Sequence, residues 1–325
     1  ISHATRILFL TEGLFLRQLL ADPKLTGVGA VVLDEFHERS LDADLGLALC
    51  VQTQQYLRDD PPLRLLVMSA TLDAEGVSRL LDDAPIITSQ GRQYPVDIRY
   101  GAPATLGRPN DAEVVQTVLR ALDEESGSVL VFLPGEREIR DTAEYLRKAN
   151  LKHTEILPLY ARLSAAEQQK IFSSHAGRRV VLATNVAETS LTVPGIVYVI
   201  DPGEARISRY SPRSKVQRLP VEAITQASAN QRKGRCGRVA PGICVRLFSE
   251  EDFLARPEFT DPEIRRTNLA SVILQMLHLR LGRIEDFPFI EPPDGRAISD
   301  GFTLLQELGA VERSGAMTDI GRQLA

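Results

Sequence analysis

The chain has 325 residues, 43% hydrophobic and 25% charged, an ordinary globular composition with room for two or three domains. No run of about 18 apolar residues occurs, which excludes a membrane-spanning helix, and three cysteines without a Cys-x-x-Cys spacing argue against a disulfide framework or zinc site and favour an intracellular, cytoplasmic location. The net charge of −5 argues against a simple nucleic-acid binder, yet ten Lys/Arg against one acid between Arg206 and Arg246 carry +9 and leave −14 elsewhere, the pattern of a localised polyanion site.

The chain opens Ile-Ser-His-Ala-Thr-Arg, neither a signal peptide nor an initiator methionine, and reads as the middle of a longer protein. Short apolar runs at 31–33, 65–68, 129–133, 156–159, 180–183, 196–200 and 243–247 alternate with helical patterns, which predicts an α/β fold with parallel sheets. Val114, Val115, Val118, Leu119 and Leu122 share one helical face, and Ser164 with Glu167 forms a capping box. Prolines and glycines across 84–110 predict a break, with a linker near 90–100 between two lobes, the first of them truncated. From about Ser249 the character becomes helical. Leu269, Val272, Ile273, Met276 and Leu277 make one stripe; Ile298, Phe302, Leu305 and Leu308 make another, closed by Gly309. A short hairpin over 311–317 and a helix capped by Thr318 then suggest a winged-helix module. The expected division is 1–95, 96–248 and 249–325.

Four segments carry chemistry. Residues 31–39 read Val-Val-Leu-Asp-Glu-Phe-His-Glu-Arg. A buried strand delivers Asp34 and Glu35 to the carboxyl end of a sheet, where ligands bind and where paired carboxylates suit a hydrated Mg²⁺ carrying a nucleotide phosphate. A strand end running into an acidic turn is the plainer alternative. Ser69-Ala70-Thr71 follows a second strand and can relay hydrogen bonds between a nucleotide site and a neighbouring lobe. Thr184, Asn185, Thr189, Ser190 and Thr192 cluster past the 180–183 strand as phosphate and sugar ligands, or as a polar loop. Gln231, Arg235 and Arg238 fall at i, i+4 and i+7, which predicts one helical face. Two guanidiniums and an amide there suit a transferring phosphoryl group, with a basic phosphate-binding helix as the alternative. Gly234 and Gly237 weaken such a helix, which makes sense where another surface approaches closely.

In order and spacing these segments resemble the motifs of superfamily-two helicases. Asp34-Glu35-Phe36-His37 resembles motif II of the DEAH-box group, with Phe in place of Ala. Ser69-Ala70-Thr71 is similar to motif III, residues 129–138 to motif IV, 183–192 to motif V and 231–238 to motif VI. The Phe variant followed by Glu38-Arg39-Ser40-Leu41 is similar to the bacterial HrpB-like branch. The resemblance implies two RecA-like parallel-sheet lobes with ATP in the cleft between them, then a winged helix.

Under that resemblance Asp34 and Glu35 serve Mg²⁺ and the attacking water, and His37 links their site to the rest of the lobe. Ser190 and Thr192 lie near the nucleotide. Gln231, Arg235 and Arg238 close on the γ-phosphate, and Ser69 and Thr71 couple the lobes. Thr11, Thr184 and Asn185 contact the nucleic-acid backbone. Residues 213–227 resemble a strand-separating β-hairpin. The implied function is an ATP-dependent, RNA-directed helicase; the alternatives are a non-catalytic nucleic-acid scaffold and an RNA-stimulated ATPase that remodels ribonucleoprotein without unwinding. No Gly-x-x-x-x-Gly-Lys-[Ser/Thr] occurs, so the phosphate loop is expected before Ile1 and these residues alone are expected to hydrolyse ATP poorly.

Overall fold

The computed structural model describes residues 4–58, 60–70, 74–89, 91, 94–102, 111–124, 126–173, 177–188, 193–211 and 213–325. Their contacts form two units: Ile1–Thr88 with Ser208–Arg218 and Asp261–Ala325, and Ser89–Ile207 with Leu219–Thr260.

In the first unit, Ala30–Leu33 pairs in parallel with Arg64–Val67, Val31 opposite Leu65. Helices Glu12–Ala21 and Leu41–Gln52 pack beside this pair. Ser40 starts the second helix by accepting the Ala43 N–H at 3.1 Å. Every residue from Ala43 to Val51 in that helix is buried, Asp44 included. Its burial has a cause far along the chain. Leu16, Leu19, Val31, Leu45 and Leu49 share one core with Ile264, Leu269, Ile273, Met276, Phe287, Ile298, Leu305 and Val311. Burying each such side chain contributes about 1.5–3 kcal/mol, so the helices Ala270–Leu279 and Gly295–Glu307 hold the N-terminal helices in place. Residues 249–260 belong by their contacts to the second unit and 261–325 to the first. Gly309 follows the helix Gly295–Glu307 and its Leu308 cap with φ +68, Val311 bridges Met317, and Thr318 caps Asp319–Leu324 by accepting the Gly321 N–H at 3.1 Å.

The second unit is a six-stranded sheet in the order Val96–Tyr100, Gly242–Arg246, Ile196–Asp201, Ser128–Phe132, Arg178–Ala183, Thr154–Leu159. All its pairings are parallel. Ser128–Phe132 is buried at every position because both faces are covered, as parallel sheets require. One face packs on Val114, Val118, Ile139 and Leu146, from the helices Asp111–Glu124 and Glu136–Lys148. The other packs on Ile171, Ala187, Val193 and Cys236. The capping box at Ser164 and Glu167 is present.

Two expectations need correction here. Residues 96–100 are not linker but an edge strand, paired among the described residues only to Gly242–Arg246. The alternation Val-Asp-Ile-Arg-Tyr suits an edge, where one face meets water. The hairpin expected from Arg213 begins earlier, at Glu204. Its base pairs Glu204–Arg206 with Val221–Ala223, and its tip pairs Arg209–Ser211 with Val216–Arg218.

Candidate functional site

Asp34 and Glu35 follow the strand Ala30–Leu33 directly. Glu35 adopts φ 51, ψ 32 and Arg39 adopts φ 47, ψ 45, both left-handed, on either side of the 3-10 turn Phe36–Glu38. Each such residue costs about 1–2 kcal/mol. Three anchors offset that cost. Phe36, 1% exposed, packs with Ala43, Leu47, Val51 and Val77. The Phe36 N–H donates to Met68 O at 3.0 Å, and the Met68 N–H to Leu33 O at 2.8 Å. The Glu38 N–H donates to Glu35 O at 3.0 Å.

His37 joins two of the predicted segments. Its Nε2 lies 3.5 Å from Glu35 Oε2, an ion pair when the imidazole is protonated, and its Nδ1 accepts the Ala70 N–H at 3.4 Å. The link to the Ser69-Ala70-Thr71 segment therefore runs through the backbone of Ala70. Ser69 is exposed, and Thr71 lies outside the described residues. Thr11 is exposed just before the helix Glu12–Ala21, in extended conformation, and its hydroxyl makes no capping bond.

Asp34 is exposed, and its Oδ1 accepts the Glu35 N–H at 2.9 Å. Among the described residues no group of three His, Cys, Asp or Glu forms a metal cage. One or two solvent-facing carboxylate ligands fit Mg²⁺, which keeps several waters and takes its other ligands from phosphate.

In the second unit, Thr184 follows the strand Arg178–Ala183 and donates its N–H to Leu159 O at 3.1 Å. Asn185 is exposed at the head of the 3-10 turn Asn185–Ala187. Ser190 and Thr192 lie outside the described residues.

The single helical face expected for Gln231, Arg235 and Arg238 does not form. The helix Gln226–Lys233 ends two residues after Gln231, with Gly234 at its C-cap. Arg235, half-buried, and Arg238, exposed, lie in the turns beyond. Gly237 keeps the helix from resuming before Arg238. Its φ of +78 leaves the helical region, its carbonyl accepts the Tyr94 N–H at 2.9 Å, and a Cβ there would sit 2.6 Å from Val96 Cγ2. The surface approaching this glycine is thus the start of the edge strand.

The sequence reading passed over Arg232. It is fully buried, with Nε 2.7 Å from Glu188 Oε1 and Nη1 2.7 Å from Asp201 Oδ1. Nη2 donates to Glu204 O at 3.1 Å, and the guanidinium lies 4.7 Å from the Phe132 ring centroid. Glu188 also accepts from the Ser228 hydroxyl at 2.9 Å. Its neighbouring acids hold the Arg232 pKa above the usual arginine value against the opposing effect of burial. The available signal was Asp201, an acid closing the otherwise apolar strand Ile196–Asp201.

Arg246 is likewise buried. It donates to the Tyr100 hydroxyl and to Asn230 Oδ1, each at 2.9 Å, and lies 4.1 Å from the Phe253 ring centroid. Two of the ten cations between 206 and 246 are therefore used inside the fold, and the exposed ones are Arg206, Arg213, Lys215, Arg218 and Arg238. Cys50, Cys236 and Cys244 are buried and free; burial pushes the Cys50 and Cys236 thiols up to about 12, so neither is a nucleophile at neutral pH.

Residues 112–240 match the helicase conserved C-terminal domain. Over 334 residues the chain is 56% identical to the ATP-dependent RNA helicase HrpA of Escherichia coli (strain K12), covering 100% of this chain and 26% of that protein. The chain is thus highly similar to DEAH-box RNA helicases. It is 42% identical over 310 residues to HrpB of the same organism, covering 95% of this chain and 38% of that protein. A crystal structure of the E. coli DEAH/RHA helicase HrpB aligns with 99% of this chain and 41% of that chain, at 40% identity and a TM-score of 0.90. The chain thus spans about a quarter of the length of the HrpA relative and under half of HrpB. The six-stranded parallel sheet is the RecA-like sheet of such helicases. The Phe of Asp34-Glu35-Phe36-His37 is a core residue. Among the described residues no helix is long and apolar enough to cross a membrane.

Proposed function

We propose that this chain is part of a cytoplasmic ATP-dependent RNA helicase that couples ATP hydrolysis to movement along one RNA strand and to unwinding. The observation that carries this reading is the turn at Asp34 and Glu35. Two adjacent carboxylates leave a parallel strand, one of them in a left-handed conformation, and His37 ties them to the backbone of the next strand's end. A purely structural acidic turn has no need of that strain.

In this reading Asp34 and Glu35 would hold Mg²⁺, which would supply positive charge against the nucleotide phosphates. Glu35 orients a water and takes its proton as the water oxygen bonds to the γ-phosphorus. The bond between that phosphorus and the β-bridging oxygen breaks, leaving ADP and phosphate. Gln231 positions the water, and Arg235 and Arg238 neutralise charge on the transferring group. Arginines in that role are worth about 10³–10⁵ in rate. Ser190 and Thr192 complete the nucleotide contacts, and Ser69 and Thr71 transmit its state.

Thr11, Thr184 and Asn185 grip RNA through sugar and phosphate, which gives binding tolerant of sequence and weakened by salt. The test is an ATPase assay beside a strand-displacement assay on the full-length protein. RNA-stimulated hydrolysis with ATP-dependent displacement is the expected result. Hydrolysis without displacement reduces the reading to a translocating or remodelling ATPase, and neither activity refutes it.

A further inference from the structure

Arg39 closes the turn that aims Glu35, and its side chain points away from that carboxylate into a buried charge network. Nε and Nη2 donate to the two oxygens of Asp44, at 2.8 and 3.3 Å, and Nη1 donates to Glu291 Oε1 at 3.1 Å. Glu291 is held from its other oxygen by Arg265 at 2.8 Å. The backbone repeats the connection. Arg39 O accepts the Glu263 N–H at 3.0 Å, and Glu263 Oε2 accepts the Leu41 N–H at 2.9 Å. Next to Glu291, Ile290 packs on the cluster that holds Phe36.

The arginine and Asp44 are almost sealed from water, at 9% and 2% side-chain exposure, while Glu291 is 33% exposed. Within the turn, the Arg39 N–H donates to Phe36 O and the Glu38 N–H to Glu35 O. Moving Arg39 therefore shifts the backbone that carries Glu35. The fork has no slack, because a guanidinium presents its donors in one plane and here serves two carboxylates at once.

We propose that Arg39 is a positioning residue for Glu35, and that Glu291 and Glu263 let residues 261–325 set the catalytic alignment of the carboxylate turn. The inference rests on the ATPase role proposed for Glu35. It assigns to the C-terminal helical segment a direct effect on the hydrolytic step. A local packing role would lower stability and leave turnover alone. A positioning role splits the kinetic constants, because misplacing a catalytic group by a fraction of an ångström slows the step without removing phosphate contacts.

The variant is Glu291→Gln in the full-length protein, which keeps side-chain size and removes the charge that Arg39 faces. We expect kcat for RNA-stimulated ATP hydrolysis to fall about 10-fold, with KM for ATP changed less than about two-fold and binding of a non-hydrolysable ATP analogue retained. Arg265→Gln, at a more exposed site, is expected to give a smaller loss of kcat in the same direction and guards against a folding failure of the first variant. Arg39→Lys should not rescue, since one ammonium cannot bridge Asp44 and Glu291 in the same geometry. Unchanged kcat in folded Glu291→Gln and Arg265→Gln overturns the inference, whatever the shift in melting temperature. Glu35→Gln is run alongside. If wild type hydrolyses ATP and Glu35→Gln does not, the Glu35 reading stands and only the coupling is under test. If wild type does not hydrolyse ATP, both are overturned.

Discussion

Arg232 donates through Nε to Glu188 at 2.7 Å across 44 residues of sequence, and this bond joins the loop after the strand Arg178–Ala183 to the helix that carries Gln231. With Asp201 on the same guanidinium, three charges are sealed together beside the Phe132 ring. Two candidate ligand segments are thus fixed to each other by a residue that is itself turned into the fold.

Removing that residue leaves Asp201, fully buried, and Glu188, 12% exposed, without their cation. Arg232→Ala is expected to destabilise the chain by about 3–5 kcal/mol, as for other broken buried pairs. Arg232→Lys should lose less, since it keeps the charge and gives up the fork. Urea denaturation checks both, and a loss under about 1 kcal/mol for Arg232→Ala would contradict the assigned role.

Glu35→Gln in the full-length protein should lower ATP hydrolysis by about 10²–10⁴-fold while ATP binding persists, because the amide keeps its place and loses the base. Single-turnover hydrolysis and nucleotide titration separate the two effects. Turnover at the wild-type rate would remove Glu35 from the reaction.

The two glycines of the basic segment should behave oppositely. Gly237→Ala meets φ +78 and a Cβ position 2.6 Å from Val96 Cγ2, so a loss of about 2–4 kcal/mol is expected. Gly234 has φ −64, and its nearest neighbour for a Cβ is Gln231 O at 3.3 Å. Gly234→Ala is expected to lie within about 1 kcal/mol of wild type. Thermal melts of the pair give the comparison directly.

Burial, with the Glu263 carboxylate nearby, holds the Asp42 pKa above its ordinary 3.8. A folded pKa above the unfolded one means that the folded chain binds this proton more tightly. The ionised group therefore opposes folding at neutral pH, and the penalty fades as pH falls through the raised value. Asp42→Asn should raise the melting temperature at neutral pH and change it little below about pH 4. An equal shift at both pH values would show that charge is not the cause.

Much of the fold was legible because buried parallel strands are unbroken apolar runs, and all seven runs read from the sequence are strands, within two residues at either end. The edge strand Val96–Tyr100 was not, because its polar alternation among prolines resembles a linker. The position of Asp34, Glu35 and His37 just after a strand was legible. The face of Gln231, Arg235 and Arg238 was misread because helical periodicity was carried past a helix that ends at Lys233 and through Gly237, whose backbone is not helical.

By itself the sequence determined the parallel strands, the order of the charged segments along the chain and their likeness to DEAH-box helicases. Each of these is written in a window of a few residues, where period and residue type suffice. Tertiary structure alone decided that residues 261–325 share a core with residues 16–63, that Arg232 and Arg246 turn inward, and that Arg39 reaches Glu291 across 252 residues of chain. No local window holds that information. Which acid neutralises a buried cation depends on which strand ends and helices packing brings together.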